Sequence, residues 1–170
     1  MSSAEQKALM DDDELQKVKN YALKLLSFRP RSSFELKKKL DFYILKKKLP
    51  PNLTSVVLKD LKKINLVNDK EFAEWWIEQR TVYSIRGEKI IRYELQIKGI
   101  GRDLIDDLLS SQEKGTEITK ADKIIDKQMK KLSLETDRRL FIEKLKMHLL
   151  RRGFSWSVTH KVIDSKMGKS

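Results

Sequence analysis

His148 and His160 are the only imidazoles in this 170-residue chain, and it has no cysteine. That inventory narrows the chemistry at once. A zinc site needs three or four nitrogen or sulfur ligands, and the HExxH spacing is absent. No Ser, His and Asp stand in a recognisable nucleophile context. There is no GxxxxGKS phosphate loop, and "GIGRDL" at Gly99 is too short and follows a helix, so it is not a dinucleotide fingerprint. "DDDEL" at Asp11 lacks the ligand spacing and glycine of a calcium loop. We therefore expect no catalytic site, no cofactor and no metal: the chain is not expected to be an enzyme. What remains is ionic chemistry, the pairing of lysine and arginine with phosphates or carboxylates.

The formal net charge is +12, from 37 basic and 25 acidic residues. Residues 1–13 carry −3, residues 14–69 carry +9, residues 70–112 carry −1 and residues 113–170 carry +7. Two basic thirds flank a neutral middle, and such a chain is drawn to DNA, RNA or an acidic protein surface. Lys37, Lys38 and Lys39, then Lys46, Lys47 and Lys48, form the densest runs. Few acids balance them, so a phosphate-tracking face is favoured over a merely solvated one. Three consecutive helical residues spread over about 200°, so at most two in each run share a face. Candidate contact residues are Lys37, Lys38, Lys46, Lys47, Lys48, Arg86, Arg92, Lys98, Arg102, Arg138, Arg139, Lys146, Arg151 and Arg152. Arg151 and Arg152 equally suit the negative end of a helix dipole.

The elements that must carry these cations are written three times. Ala22, Ala73 and Ala121 are each followed at +3 and +4 by large apolar residues: Leu25 and Leu26, Trp76 and Ile77, Ile124 and Ile125. That spacing puts the three side chains on one helical face. A second helix follows with an apolar pair four apart: Leu36 and Leu40, Ile91 and Leu95, Leu145 and Leu149. After the last two pairs come Gly99 with Ile100 and Gly153 with Phe154, a left-handed cap whose next residue packs back on the helix. The first unit has "KKKLPP" at that place. A third, short amphipathic helix closes each unit. Ser32 with Glu35 can form a capping box, and Asn68 or Asp69, then Ser155, can cap later helices. Pro50 and Pro51 force a break.

The predicted fold is all-α, a tandem array of three three-helix repeat units forming an elongated, curved molecule. We expect a flexible acidic segment at 1–13 and repeats at 14–68, 69–111 and 118–168, with a linker at 112–117. Trp76 is expected in the core and Trp156 beneath the last helix. Trp75 is expected to be partly buried rather than free to stack on a base. No apolar run approaches a membrane span and "MSSAEQKALMDDDE" is not a signal peptide, so a cytoplasmic protein without membrane contact is expected.

The middle repeat resembles the RecX family, regulators of the RecA recombinase. The resemblance lies in Asp69, Phe72, Ala73, Trp76 and Arg80, then in Arg86, Gly87, Ile91, Glu94, Leu95, Lys98, Gly99 and Ile100. The order and spacing of these marks extends from about Leu15 to Met167. Ile90 stands where a basic residue is usual in that family, and the first repeat lacks the Lys-Gly-aromatic ending. The resemblance implies a non-enzymatic protein of DNA repair, homologous recombination and the SOS response. It implies binding in the groove of the RecA–single-stranded DNA filament, restraining ATP hydrolysis and strand exchange. The implied partners are the RecA filament and, without sequence preference, single-stranded and more weakly duplex DNA; a monomer is expected. The alternative is a stand-alone helical DNA-binding protein acting without RecA, since three-helix units can present a helix to the major groove. A specific reader would discriminate sequences by ~10³ or more.

Overall fold

A computed structural model describes residues 3–111, 116–131 and 137–168. Among these the chain is all-α, with no strand. The helices are α1 (Ser3–Phe28), α2 (Ser33–Lys47), α3 (Leu53–Lys63), α4 (Asp69–Glu78), α5 (Glu88–Ile97), α6 (Arg102–Ser110), α7 (Thr116–Lys131), α8 (Arg138–Arg151) and α9 (Trp156–Met167). A π-helical turn, Gln79–Tyr83, extends α4. The described residues fall into two compact units. One is built on the chain up to Ala73 with Lys98–Ile100, the other on Glu74–Ile97 with the chain from Gly101 onward.

The repeat marks are the core. Ala22, Ala73 and Ala121 are fully buried, as are Leu36, Leu40, Leu95, Leu145 and Leu149, while Ile91 keeps only 2% of its surface. In the first unit Val18, Ala22, Leu36, Leu40, Ile44, Val57 and Leu61 form one cluster. In the second, Ile124, Ile125, Leu145, Leu149, Phe154, Val162 and Ile163 form another. Burying one such aliphatic side chain contributes roughly 1.5–3 kcal/mol. The expected caps form, although the capping box at Ser32 is present only in its serine half, because the Glu35 carboxylate is taken by Arg29 and Lys98. Ser32 Oγ accepts from Glu35 N at 3.1 Å. Asn68 Oδ1 accepts from Lys70 N at 2.9 Å, and Ser155 Oγ from Val158 N at 3.2 Å.

Four expectations meet a different outcome. Helix α1 starts at Ser3, so the described part of the acidic segment 1–13, expected to be flexible, is helical. Ala4, Glu5, Gln6, Lys7, Ala8, Leu9 and Met10 are strong helix formers with no Gly or Pro among them, and a helix nucleated in the packed part propagates through them. Within the expected linker, residues 112–115 lie outside the described residues, while Thr116 and Glu117 begin α7. Trp76 is half-buried because its neighbour Ile77, at 4% exposure, takes the core position. Its indole Nε1 instead donates to Glu94 Oε2 at 2.8 Å. Trp156 is 58% exposed because it opens α9 while Phe154, Val162 and Ile163 fill the core. Its ring lies 4.4 Å from that of His160.

The same joint occurs twice, and it explains the glycines. At the start of α2, Ser33 N donates to Asp69 Oδ1 of α4 at 2.7 Å. Ser32 Oγ donates to Lys98 O, just past α5, at 2.6 Å. At the start of α5, Glu88 N donates to Glu117 Oε1 of α7 at 2.6 Å. Gly87 N donates to Arg152 O at 2.8 Å and Lys89 N to Gly153 O at 3.2 Å, just past α8. At the second joint orphan N–H groups of one helix start thus meet orphan carbonyls of another helix end; at the first, the N–H meets the Asp69 carboxylate and the carbonyl accepts from the Ser32 hydroxyl. The approach is close. A Cβ on Gly99 would lie 2.5 Å from Phe34 Cβ, and one on Gly153 would lie 2.7 Å from Ile90 Cγ1. Both glycines also have positive φ, 77° and 87°. The first unit ends its α2 on Lys48, left-handed at φ 56° but exposed. Because it is exposed, that cap does not need a glycine's missing side chain.

One ion-pair network locks the first joint. Glu35 receives Arg29 Nη2 at 3.0 Å and Lys98 Nζ at 2.8 Å. Burial alone would push the Glu35 carboxyl up, but those hydrogen bonds and charges outweigh it and hold it down to about 2. A depressed carboxylate contributes stability that is present above its ordinary value near 4.5 and is lost as pH falls towards 2. Urea unfolding should therefore show a gap between the native chain and Glu35→Gln at pH 7 that narrows progressively below pH 4.5. A gap independent of pH would reject this role.

Candidate nucleic-acid and protein interface

The residues that carry the family resemblance are mostly consumed by the fold. Arg80 Nε donates to Glu94 Oε2 at 2.6 Å while its guanidinium sits 4.3 Å over the Trp76 ring. Asp69, Gly87 and Gly99 make the joints, and Phe72, Ala73, Ile91, Leu95 and Ile100 are buried. An interface must therefore draw on cations outside this scaffold, or on those left with spare charge.

The fourteen candidates divide by what already holds them. Lys98 is committed to Glu35, with only 15% of its side chain exposed. Arg92 reaches both Glu88, at 2.9 Å, and Asp106. Burial lowers the Arg92 pKa, but those two carboxylates more than compensate and raise it. Lys37 pairs with Asp41 at 2.7 Å and Lys146 approaches Glu143 at 3.6 Å. Arg138 Nη2 donates to Met167 O at 2.8 Å, and Arg151 Nε to Met147 O at 3.2 Å. Arg152 contacts His148 and Ser84. Arg86 is half-buried, and Arg102 and Arg139 are exposed at helix starts.

In the first unit a group of lysines remains uncompensated. Lys38, Lys46, Lys47 and Lys48 are exposed on α2 or at its end, with no carboxylate within ion-pair distance among the described residues. Lys39 on α2 and Lys59 and Lys62 on α3, outside the candidate set, share that condition. Apolar side chains lie among them: Phe42 is 66% and Leu45 77% exposed, and Lys38 Nζ sits 4.4 Å over the Phe34 ring. A basic surface with aromatics between the charges suits a phosphate backbone or an acidic protein face. The α2 pattern was legible as charge runs. The sequestration of Lys98 was not, because Glu35 is 63 residues away, whereas the Glu88–Arg92 pair follows the familiar i,i+4 spacing. Among the described residues no cluster of His, Cys, Asp or Glu could hold a metal ion, and no helix is long and apolar enough to cross a membrane.

Helix, turn and joint together define a helical repeat protein built of three-helix units. Its relatives agree. Residues 19–41 match the model of the RecX first three-helix domain, and residues 68–109 that of the RecX second three-helix domain. The chain is 29% identical over 164 residues to "Regulatory protein RecX" of Clostridioides difficile, covering 96% of this chain and 74% of that one. It is 34% identical over 139 residues to the protein of the same name from Streptococcus gordonii, covering 82% of this chain but 51% of that one. The crystal structure of RecX from Lactobacillus salivarius superposes with a TM-score of 0.76 at 27% identity, covering 91% of this chain and 97% of that chain. The chain belongs to the RecX family.

Proposed function

We propose that this chain is a non-catalytic regulator of RecA that acts in the cytoplasm as a monomer. It binds the groove of the RecA–single-stranded DNA filament and restrains ATP hydrolysis and strand exchange. Family membership supports the partner. The observation that carries the binding mode is the set of exposed lysines Lys38, Lys46, Lys47 and Lys48, which lack a carboxylate partner. Uncompensated charge of this kind favours a polyanionic surface and is indifferent to base sequence. Linked three-helix units can engage neighbouring RecA protomers, and the second contact then gains from a high effective concentration. Titrating the purified chain into RecA hydrolysing ATP on single-stranded DNA should lower the hydrolysis rate. Chain present in excess over RecA with an unchanged rate would overturn the proposal.

A further inference from the structure

In the second unit, the residues after the π-helical turn meet α7 and α8 around a cleft of about 320 Å³. Its lining includes Lys123, Lys127, Arg152 and His148, together with Tyr83 and Ile85, and among the described residues it contains no carboxylate. The charge separation is built into α7. Asp122 and Asp126 turn towards α9 and pair with Lys166 at 3.2 and 2.7 Å. Lys123 and Lys127 follow one residue later, about 100° around the helix. Neither has an ion-pair partner among the described residues.

Arg152 is held but not neutralised. Its Nε donates to His148 Nε2 at 3.1 Å and its Nη1 to Ser84 O at 3.4 Å. Neither acceptor is a carboxylate. A guanidinium has five N–H donors, so most of this group's capacity remains unused. The rest of the lining includes apolar and aromatic side chains. Tyr83 is 74% exposed, and Ile85 and Ile124 line the cleft beside the cations. Ile85 has φ 40°, a left-handed backbone that a β-branched residue rarely adopts. Such an outlier marks a segment whose shape the surroundings impose, often for a ligand's sake.

Three cations without a counter-charge among the described residues repel one another until an anion joins them. A planar guanidinium beside two point-like ammonium groups fits a phosphate better than a single carboxylate. The apolar lining and the exposed phenol ring fit a base. We propose that this cleft binds one nucleotide: Lys123, Lys127 and Arg152 hold its phosphate and Tyr83 stacks on its base. The nucleotide is either free or a unit of a single strand. This inference stands apart from the RecA reading, because it concerns a different surface and needs no RecA.

The test is direct binding at low salt, with the full chain and no RecA, to dAMP, a short single-stranded oligonucleotide, inorganic phosphate and polyglutamate. The Lys123→Glu, Lys127→Glu double variant should bind the nucleotide-bearing probe about tenfold or more weakly, because two phosphate contacts become repulsive. Tyr83→Ala should lose about fivefold or more on the same probe, the scale of one stacked base, and leave inorganic phosphate unaffected. All three residues are exposed, and circular dichroism will report retained helix. Binding of dAMP with these dependences supports a free-nucleotide site. Binding of the oligonucleotide alone, with the same dependences, supports a strand site. Affinities unchanged by either variant overturn the proposal, as does polyglutamate binding as tightly as the oligonucleotide.

Discussion

Gly87→Ala should destabilise the second unit by at least about 3 kcal/mol, the upper part of the range for overpacking. The reason is what the added methyl would meet. Its Cβ would sit 2.3 Å from Gly153 C, 2.3 Å from Phe154 N and 2.4 Å from Gly153 O. All three are backbone atoms, so no side chain can rotate away. Relief requires the start of α5 to separate from the end of α8. That separation breaks the hydrogen bonds from Gly87 N to Arg152 O and from Lys89 N to Gly153 O. It also lifts Phe154, 1% exposed, from the core. Gly101→Ser provides the contrast. A Cβ there meets nothing within 4 Å, the residue is the N-cap of α6 with φ −65°, and serine is a better cap than glycine. Thermal unfolding should show Gly87→Ala losing about 6–12 °C and Gly101→Ser holding or gaining. If Gly87→Ala melts like the native chain, the close joint is not a feature of the folded protein.

That joint shows how far the sequence could be read. Helical periodicity locates the core, because Leu36, Leu40, Ile91, Leu95, Leu145 and Leu149 announce themselves by local spacing. Capping residues such as Ser32 and Ser155 are equally local. Gly99 and Gly153 are readable as helix stops, but not as places where Phe34 or Ile90 presses on the backbone. Those partners are 65 and 63 residues away, and periodicity carries no information about them. The same limit governs the candidate interface. Runs of lysine reveal a basic surface, yet only the three-dimensional pairing separates Lys38 from Lys98. Trp76 illustrates a finer failure: two adjacent large residues compete for one core position, and the pattern cannot say that Ile77 wins.

Replacing Lys38, Lys46 and Lys47 together by glutamate should weaken binding to single-stranded DNA or to a RecA–DNA filament by on the order of 10²-fold at low salt. Each lysine that neutralises a phosphate releases a counterion and contributes about 0.7 to the salt slope on a single strand, so three such losses should flatten that slope by about 2. The three are exposed and have no carboxylate partner among the described residues, so binding loses more than folding does. Lys46 and Lys47 also stand in the last turn of α2, where they complement the helix dipole. Reversing them there costs stability of about 0.3–1 kcal/mol each. The matching glutamine triple separates that cost from the repulsion, and should show the same flattened slope with a smaller loss of affinity. Two further variants tell surface from scaffold. Lys37→Gln removes a cation already paired with Asp41 at 2.7 Å, so binding should change little. Lys98→Gln removes one of the two partners of Glu35 and should lower stability, by about 1–3 kcal/mol, while leaving the salt slope intact. Measured across 50–200 mM salt, a triple variant with native helical content and native affinity would show that this face of α2 is not the contact surface, whatever the remaining cations bind.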